Sequence, residues 1–329
     1  MRRLGAVVLI LSITAMMFTG CRKQPAEPVS ETRLLLDTVC TVTLYEPRDR
    51  ALVTGALDLC AEYEQLFSVT IEGSDVWRIN HAHGEQVTVS AQTAEMLSIG
   101  LEFGRLSDGK FDITIGRLSS LWNFKGDPKI PGAEEIRTAM GTVDYRKANV
   151  SGNTVQLSDP EAAFDAGGVA KGYIADKLAD YLKERGVRSA LIDLGGNVVT
   201  VGGKPDGKLW RVGVRKPFGE NGELLGVIET WEASVVTSGI YERMFESGGR
   251  TYHHILDPET GMPAISDVVS ATVVTESSAV GDALSTVLVL AGSKKAAELT
   301  GEVPGFMGAV LVLSSGEIMQ LGEISFSGA

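Results

Sequence analysis

Hydrophobic and polar positions follow two different periods along this chain. Threonine alternates with apolar residues over Thr38–Tyr45, which predicts a strand, whereas apolar residues recur at helical spacing over Ala51–Phe67. The same reasoning predicts a helix over Ala279–Leu290 and strands over Phe111–Leu118 and Tyr252–Leu256. Because the helices are mixed with hairpin-linked strands and do not alternate regularly with them, the pattern predicts an α+β fold.

The first twenty residues differ from the rest in composition. Arg2 and Arg3 precede an apolar run from Leu4 to Phe18, and residues 19–21 read Thr-Gly-Cys. A basic start, a short apolar stretch and small residues before a cleavage point indicate a secretory signal over residues 1–20, too short to span a membrane comfortably. Cys21, directly after a small residue, resembles the cysteine of a bacterial lipobox and is predicted to carry lipid. An ordinary signal with an incidental cysteine is the alternative.

The predicted export signal affects how the following segments are interpreted. Residues 21–31 are polar and contain prolines, which indicates a flexible tether, and residues 32–329 form the folded domain. Cys40 and Cys60 could pair in an exported protein, but two separately buried thiols fit their surroundings equally well. The net charge is −12, and loss of Arg2 and Arg3 with the signal leaves −14. The sequence has no basic cluster, which argues against a nucleic acid partner.

A glycine-rich segment at residues 165–172 is the first candidate for chemistry. Gly167 and Gly168 allow the backbone to approach a ligand closely, and the helix predicted after them directs free N–H groups toward that ligand. Lys171 adds a positive charge, and Asp165 is placed either to cap the helix or to accept a hydrogen bond from a ligand. The glycine spacing matches neither common nucleotide-binding motif, so a plain glycine turn with a solvated lysine is the alternative.

The segment 281–286 supplies oxygen atoms on one face of a predicted helix. Asp282 and Thr286 are four residues apart and share that face, and Ser285 is adjacent. A carboxylate with hydroxyl groups suits Mg²⁺, which binds few protein ligands and completes its shell with water and substrate phosphate. Ordinary helix capping by the same residue types is the alternative.

Two adjacent histidines, His253 and His254, lie in the predicted strand Tyr252–Leu256. Neighbouring side chains of a strand point to opposite faces, so only one of the two can enter a given site. An imidazole there would be a natural base for a hydroxyl nucleophile. The Asp257-Pro258 turn ends the strand.

Taken in order, the motifs of this chain resemble those of the ApbE family, the FAD:protein FMN transferases. The motifs are LFS at 66–68, FDITIGRL at 111–118, DAGGVAKGY at 165–173, TSGIYER at 237–243, HHILDPETGMP at 253–263 and DALST at 282–286. The resemblance covers nearly the whole mature chain. It implies two closely joined α+β lobes and an enzyme that splits FAD with Mg²⁺, releases AMP and attaches FMN to a threonine or serine of a target protein.

The resemblance also implies partners and a location. The acceptor would be an exported flavoprotein with a threonine or serine site, such as a membrane electron-transfer subunit. With a lipid on Cys21, the enzyme itself would be anchored to the extracytoplasmic face of a bacterial membrane.

The resemblance assigns roles to individual residues. It implies that His254 is the base and that the metal is held by the Gly168 carbonyl, Asp282 and Thr286, with Ser285 close by. The residues implied to line the flavin pocket or contact FAD are Leu36, Thr70, Phe111, Asp112, Ile113, Asp165, Lys171 and Leu256.

Thr70 departs from the family pattern, in which this position often holds an aromatic or polar residue that touches the flavin. The position is implied to influence whether FAD is transferred or hydrolysed. Two other functions therefore stay open: an FAD pyrophosphatase that yields FMN and AMP, and a lipid-anchored flavin-binding protein without turnover.

Overall fold

A computed structural model describes residues 27–220 and 222–329. The predicted signal at 1–20, Cys21 and the first part of the predicted tether lie outside these residues. The first strand begins at Val29, so the tether prediction over 21–31 extended three residues into the folded domain. Among the described residues, no helix is both long and apolar enough to cross a membrane.

The helices and strands are named here in chain order. The helices are α1 (Ala51–Phe67), α2 (Asp75–Asn80), α3 (Ala91–Leu106), α4 (Gly116–Trp122), α5 (Ala133–Met140), α6 (Ala170–Glu184), α7 (Ser278–Ala291) and α8 (Ser293–Gly301). The strands are β1 (Val29–Leu35), β2 (Thr38–Leu44), β3 (Val87–Thr88), β4 (Ala148–Ser151), β5 (Thr154–Leu157), β6 (Ser189–Leu194), β7 (Asn197–Gly202), β8 (Trp210–Arg215), β9 (Leu224–Thr230), β10 (Ser234–Gly239), β11 (Met244–Ser247), β12 (Arg250–His253), β13 (Val268–Thr275), β14 (Phe306–Leu313), β15 (Ile318–Gly322) and β16 (Ser325–Gly328).

An eight-stranded antiparallel sheet forms the centre of the fold, in the order β1-β2-β6-β7-β10-β13-β14-β15. Helices α1, α6 and α7 cover one face of this sheet, and the three-stranded sheet β16-β9-β8 covers the other. Strand β13 shows why both faces are covered: Val273 packs into the main core, and the next residue, Val274, packs under the small sheet. The predicted α+β class is confirmed.

A third, smaller apolar cluster lies apart from the main core. It consists of Leu118 and Trp122 from α4, Ile136 and Ala139 from α5, and Leu256. Aromatic rings of the β11–β12 hairpin extend the cluster. This cluster supports the segment that carries the two histidines.

The strand predicted over Phe111–Leu118 is wrong, because the segment forms a turn that leads into α4 at Gly116. Asp112 causes the turn: its Oδ1 accepts hydrogen bonds from the Thr114 N–H at 2.8 Å and the Thr114 hydroxyl at 2.7 Å, and its Oδ2 accepts from the Tyr145 N–H at 2.8 Å. A side chain that binds nearby backbone in this way favours a turn over a strand ladder. The strand predicted over Tyr252–Leu256 also ends early, at His253.

Candidate active site

The two helices that carry the sequence motifs meet near their N-termini. A Cβ atom on Gly172, in the first turn of α6, would lie 2.1 Å from the Ser278 carbonyl oxygen, so only glycine permits this approach. Asp282 of α7 is 3% exposed, and its Oδ2 accepts a hydrogen bond from the Gly172 N–H at 2.9 Å. The glycine-rich segment and the 281–286 segment, more than a hundred residues apart in sequence, therefore share one site.

Three hydroxyl groups, one from β10 and two from α7, lie close together near the Asp282 backbone. The Ser238 hydroxyl of β10 lies 2.8 Å from that of Ser285 and 3.0 Å from that of Thr286. Ser285 is fully buried and donates to the Asp282 carbonyl at 2.9 Å, so its hydroxyl is already engaged. A Cβ atom on Gly168 would lie 3.8 Å from the Thr286 hydroxyl oxygen, which places the glycine segment beside these oxygens.

These donors suit a hard cation. Within the described ranges, no group of three or more His, Cys, Asp or Glu side chains could hold a metal, so a zinc-type cluster is not found there. The structure instead places the Thr286 hydroxyl 3.4 Å from the Asp282 backbone carbonyl and beside the backbone of Gly168, and the Asp282 carboxylate belongs to the same helix. Few protein oxygens that leave room for water and phosphate are what Mg²⁺ prefers. The residues present therefore fit Mg²⁺.

Lys171 supplies positive charge at the same place. Its Nζ lies 3.7 Å from Asp282 Oδ1 and 3.5 Å from the Gly167 carbonyl oxygen, and its side chain is 30% exposed. The ammonium group can therefore reach both the carboxylate and a bound anion. An ammonium near a helix N-terminus favours phosphate at this position.

Asp165 caps the glycine loop itself, because α6 does not begin until Ala170. Its Oδ1 accepts from the Gly167 N–H at 3.0 Å, and its Oδ2 accepts from the Ser119 hydroxyl at 2.8 Å. Sequence reasoning missed a second support of this loop. The Asn80 amide pairs with both backbone groups of Phe164, at 2.7 and 2.9 Å.

The residues implied to line the flavin pocket lie in different environments. Phe111 and Ile113 are buried, and the Phe111 ring lies 2.8 Å from where a Cβ of Gly168 would be. Asp112 is also buried, which raises the pKa of its carboxyl, and its hydrogen bonds hold the local turn. Thr70 is exposed, and its hydroxyl lies 3.1 Å from that of Ser68. Of these four residues, Phe111 is the one the structure ties directly to the glycine segment.

Leu36 occupies an unusual backbone conformation at the turn between β1 and β2. Its φ is 56° and that of Asp37 is 57°, both in the left-handed region that side chains other than glycine rarely adopt. Two contacts hold the turn: the Leu36 N–H donates to Glu64 Oε1 at 2.7 Å, and Lys125 pairs with Asp37 at 3.0 Å. The backbone of the turn is thus held in a strained conformation, and the Leu36 side chain packs partly against the main core.

His254 follows β12 and is held by its backbone, whose N–H donates to the Arg243 carbonyl at 3.0 Å. Its Nδ1 is buried without a hydrogen-bond partner in the described part of the chain. The pKa of His254 is lowered to about 4, by burial first and then by positive charges that include Arg243 and Lys171. The imidazole is therefore neutral at neutral pH and able to accept a proton.

His253 has a different role. It is 7% exposed, its Nε2 lies 3.1 Å from the Ala264 carbonyl oxygen, and burial lowers its pKa. Leu256, two residues beyond His254, is buried in the small cluster. The turn after it is fastened by Trp122, whose Nε1 donates to the Gly261 carbonyl at 3.0 Å. The contacts of Leu256 and Trp122 hold the segment that follows the two histidines.

Glu242, within the TSGIYER motif, is a site residue to which sequence reasoning gave no role. The residue as a whole is exposed, but the protein around its carboxyl group limits contact with water there. This desolvation raises the pKa of the carboxyl. The charge of Lys171 opposes this rise. The sequence carried a signal for it, since Glu242 lies between Tyr241 and Arg243 within the TSGIYER motif. The charges of Arg215 and Arg243 also oppose the rise in the pKa of Glu242, whereas that of Asp282 adds to it.

An α+β fold that brings a glycine loop, a lysine and a buried aspartate to the place where two helix N-termini meet fits an enzyme that acts on phosphate groups. The chain belongs to the ApbE family, whose family model matches residues 36–311. The resemblance found in the sequence is thus confirmed.

Relatives of known function and structure agree with this assignment. The chain is 37% identical over 271 residues to an FAD:protein FMN transferase of Klebsiella pneumoniae, covering 81% of this chain and 83% of that one. It is 33% identical to the FAD:protein FMN transferase of Treponema pallidum, over 92% and 89% of the two chains. The crystal structure of the ApbE protein of Thermotoga maritima superposes with a TM-score of 0.81 at 30% identity, over 90% and 97% of the two chains. The flavin transferase ApbE of Vibrio cholerae gives 0.79 at 27%, over 92% and 98%.

Proposed function

We propose that this protein cleaves FAD and transfers FMN to a threonine or serine hydroxyl of an acceptor protein, with release of AMP. Family membership and relatives that are FAD:protein FMN transferases support flavin transfer. The observation that carries the proposal is the meeting of α6 and α7 at one carboxylate. The Gly172 N–H donates to Asp282 Oδ2 at 2.9 Å, and Lys171 Nζ lies 3.7 Å from Asp282 Oδ1. This arrangement supports phosphate binding at the glycine loop, and the family resemblance supports His254 as the group that removes the proton.

The chemistry follows from these residues. The acceptor hydroxyl oxygen attacks the phosphorus on the FMN side of FAD, and the bond from that phosphorus to the bridging oxygen breaks, so AMP leaves with that oxygen. His254 takes the hydroxyl proton, for which its neutral state is required. Lys171 and the N-terminal N–H groups of α6 bind the phosphates and stabilise the charge that develops on them.

We further propose Mg²⁺ as the cofactor, held by Asp282, Thr286 and the Gly168 carbonyl. Ser285 lies close by, and its hydroxyl bonds the Asp282 carbonyl and the Ser238 hydroxyl. When bound, it would neutralise phosphate charge and favour departure of AMP. In an acidic protein of net charge −12, such a cation and Lys171 would offset the repulsion that the whole chain exerts on FAD.

We also propose that the protein is exported and anchored by a lipid on Cys21. The basic and apolar residues before Thr-Gly-Cys at 19–21 support this location. An exported membrane electron-transfer subunit with an accessible threonine or serine would then be a suitable acceptor.

The test uses the full chain with FAD and Mg²⁺, with and without an acceptor domain. AMP release is followed by chromatography, and acceptor labelling is followed by flavin fluorescence of the separated protein. We expect labelling that depends on the acceptor and is abolished by EDTA and by Asp282→Ala. Asp206→Ala, which removes a carboxylate from an exposed turn, is the control and should label normally.

Each other outcome identifies a different function. AMP release that outpaces labelling would favour the pyrophosphatase. Binding of FAD without AMP release would favour a flavin-binding protein. Full activity of Asp282→Ala would refute the metal assignment.

A further inference from the structure

A buried network outside the reacting groups joins α6 to α7. Asp176, one helical turn after Gly172, directs its carboxylate at the start of α7. Its Oδ1 accepts from the Ser278 N–H at 2.7 Å, and its Oδ2 accepts from the Ala279 N–H at 3.0 Å and the Ser277 hydroxyl at 2.7 Å. The first N–H groups of a helix lack partners within that helix, and Asp176 supplies them from a residue a hundred positions earlier.

The contacts between the two helices are reciprocal. Asp176 of α6 accepts from the start of α7, while Asp282 of α7 accepts from the Gly172 N–H in the first turn of α6. Gly172 lets the backbones touch. Two oppositely directed carboxylates fix both the axial position and the rotation of one helix on the other.

The position of α7 on α6 determines the spacing of the proposed metal ligands. Gly168 lies just before α6, whereas Asp282 and Thr286 lie on α7, four and eight residues after Ser278. The distance between the Gly168 carbonyl and the α7 oxygens therefore depends on how α7 sits on α6. Packed interiors do not deform gradually, so loss of the Asp176 contacts would change that distance.

We propose that Asp176 is a positioning residue of the metal site: it touches neither the metal nor FAD, and it sets the ligand spacing by holding α7 on α6. This inference rests on the metal site proposed above. Groups that hydrogen-bond metal ligands directly change metal affinity by roughly tenfold to a hundredfold, which sets the upper scale for a residue that acts through helix placement.

The test is Asp176→Asn in the full chain, with Mn²⁺ as a spectroscopic probe for the Mg²⁺ site. Asparagine keeps the volume but places an NH₂ group against a backbone N–H. We expect Mn²⁺ affinity, measured by electron paramagnetic resonance, to fall about tenfold to a hundredfold. FAD affinity in EDTA should be unchanged, and labelling should recover at high Mg²⁺.

Asp75→Asn is the matched control. Asp75 is 5% exposed and also accepts hydrogen bonds at the start of a different helix, from the Ser90 N–H at 2.8 Å and the Thr93 hydroxyl at 2.7 Å. The Asp75→Asn variant should have a lower melting temperature and the same Mn²⁺ affinity as the wild type. Ser277→Ala removes one of the three Asp176 contacts and should lower Mn²⁺ affinity by a smaller factor than Asp176→Asn. It serves as the second test if Asp176→Asn does not fold.

The outcomes separate the two proposals. Wild-type Mn²⁺ affinity in both Asp176→Asn and Ser277→Ala would overturn the positioning role, as would equal weakening by Asp75→Asn. No Mn²⁺ binding by the wild-type chain would refute the metal site itself, and the positioning role with it.

Discussion

His254 gives the sharpest test of the site, because its surroundings fix the protonation state in which it works. The pKa of this imidazole is lowered from its ordinary value of 6.5 to about 4, by burial first and then by the charge of Arg243. At pH 7 only about one molecule in a thousand carries a protonated His254. We therefore expect His254 to stay available as a base well below the pH at which an ordinary histidine would be lost.

The same shift predicts a pH dependence of stability. Between pH 6.5 and pH 4 the unfolded chain binds a proton at this residue and the folded protein does not. Stability therefore rises with pH across this window and is lost as the pH falls. The full loss is about 3 kcal/mol, at about 1.36 kcal/mol for each pH unit between the two pKa values. His254→Gln should lack this part of the pH dependence.

The direct measurement is the titration of imidazole C2–H signals by NMR. The chain has four histidines, and single His→Gln variants assign them. Arg243→Gln should move the His254 midpoint upward, because removal of a positive charge favours the protonated ring. Arg211→Gln, at an exposed position of β8 paired with Glu229, should leave it unchanged. A wild-type midpoint near 6.5, or no change in Arg243→Gln, would show that the reasoning is wrong.

Three further predictions concern other parts of the chain. In Gly172→Ala the new methyl group would lie 2.1 Å from the Ser278 carbonyl oxygen. We expect a loss of about 1–3 kcal/mol in urea unfolding, whereas Gly301→Ala, which meets nothing within 4 Å, should cost far less. Thr70→Tyr should bind FAD more tightly by about 0.5–1.5 kcal/mol through ring stacking, and equal affinity by calorimetry would show that residue 70 does not face the flavin. Cys21→Ser should release the protein from membranes with its activity intact, and a wild-type protein that is soluble and takes up no fatty-acid label would refute lipidation.

The helices of the site could be predicted from the sequence because their signals are local. Spacing of four placed Asp282 and Thr286 on one face of a helix, and the structure brings Thr286 beside Gly168 and Asp282 beside Gly172. The resemblance singled out His254 as the base, which stays a prediction, and the structure shows that the Nε2 of the neighbouring His253 lies 3.1 Å from the Ala264 carbonyl oxygen.

Other features of the fold and the site could not be predicted from the sequence, because they depend on residues far apart in the chain or on side-chain hydrogen bonds. The alternating pattern of 111–118 favours a strand until Asp112 is seen to bind Thr114 and Tyr145. Asp176 looks like any polar residue of an amphipathic helix, and its partners lie about a hundred residues later. Cys40 and Cys60 are both buried as free thiols, whereas the sequence alone could not distinguish free thiols from a disulfide.

The turn at Leu36 and Asp37 sets protein stability against function. Two-residue hairpin turns of this shape favour asparagine and glycine, and a leucine there costs about 1–2 kcal/mol. Selection for heat resistance alone would therefore drive Leu36 toward glycine, whereas selection for flavin transfer would retain the side chain that the family resemblance implies for the flavin pocket. Laboratory evolution under the two pressures should diverge at this residue, and a consensus-based thermostable variant should keep Leu36 if it is to remain an enzyme.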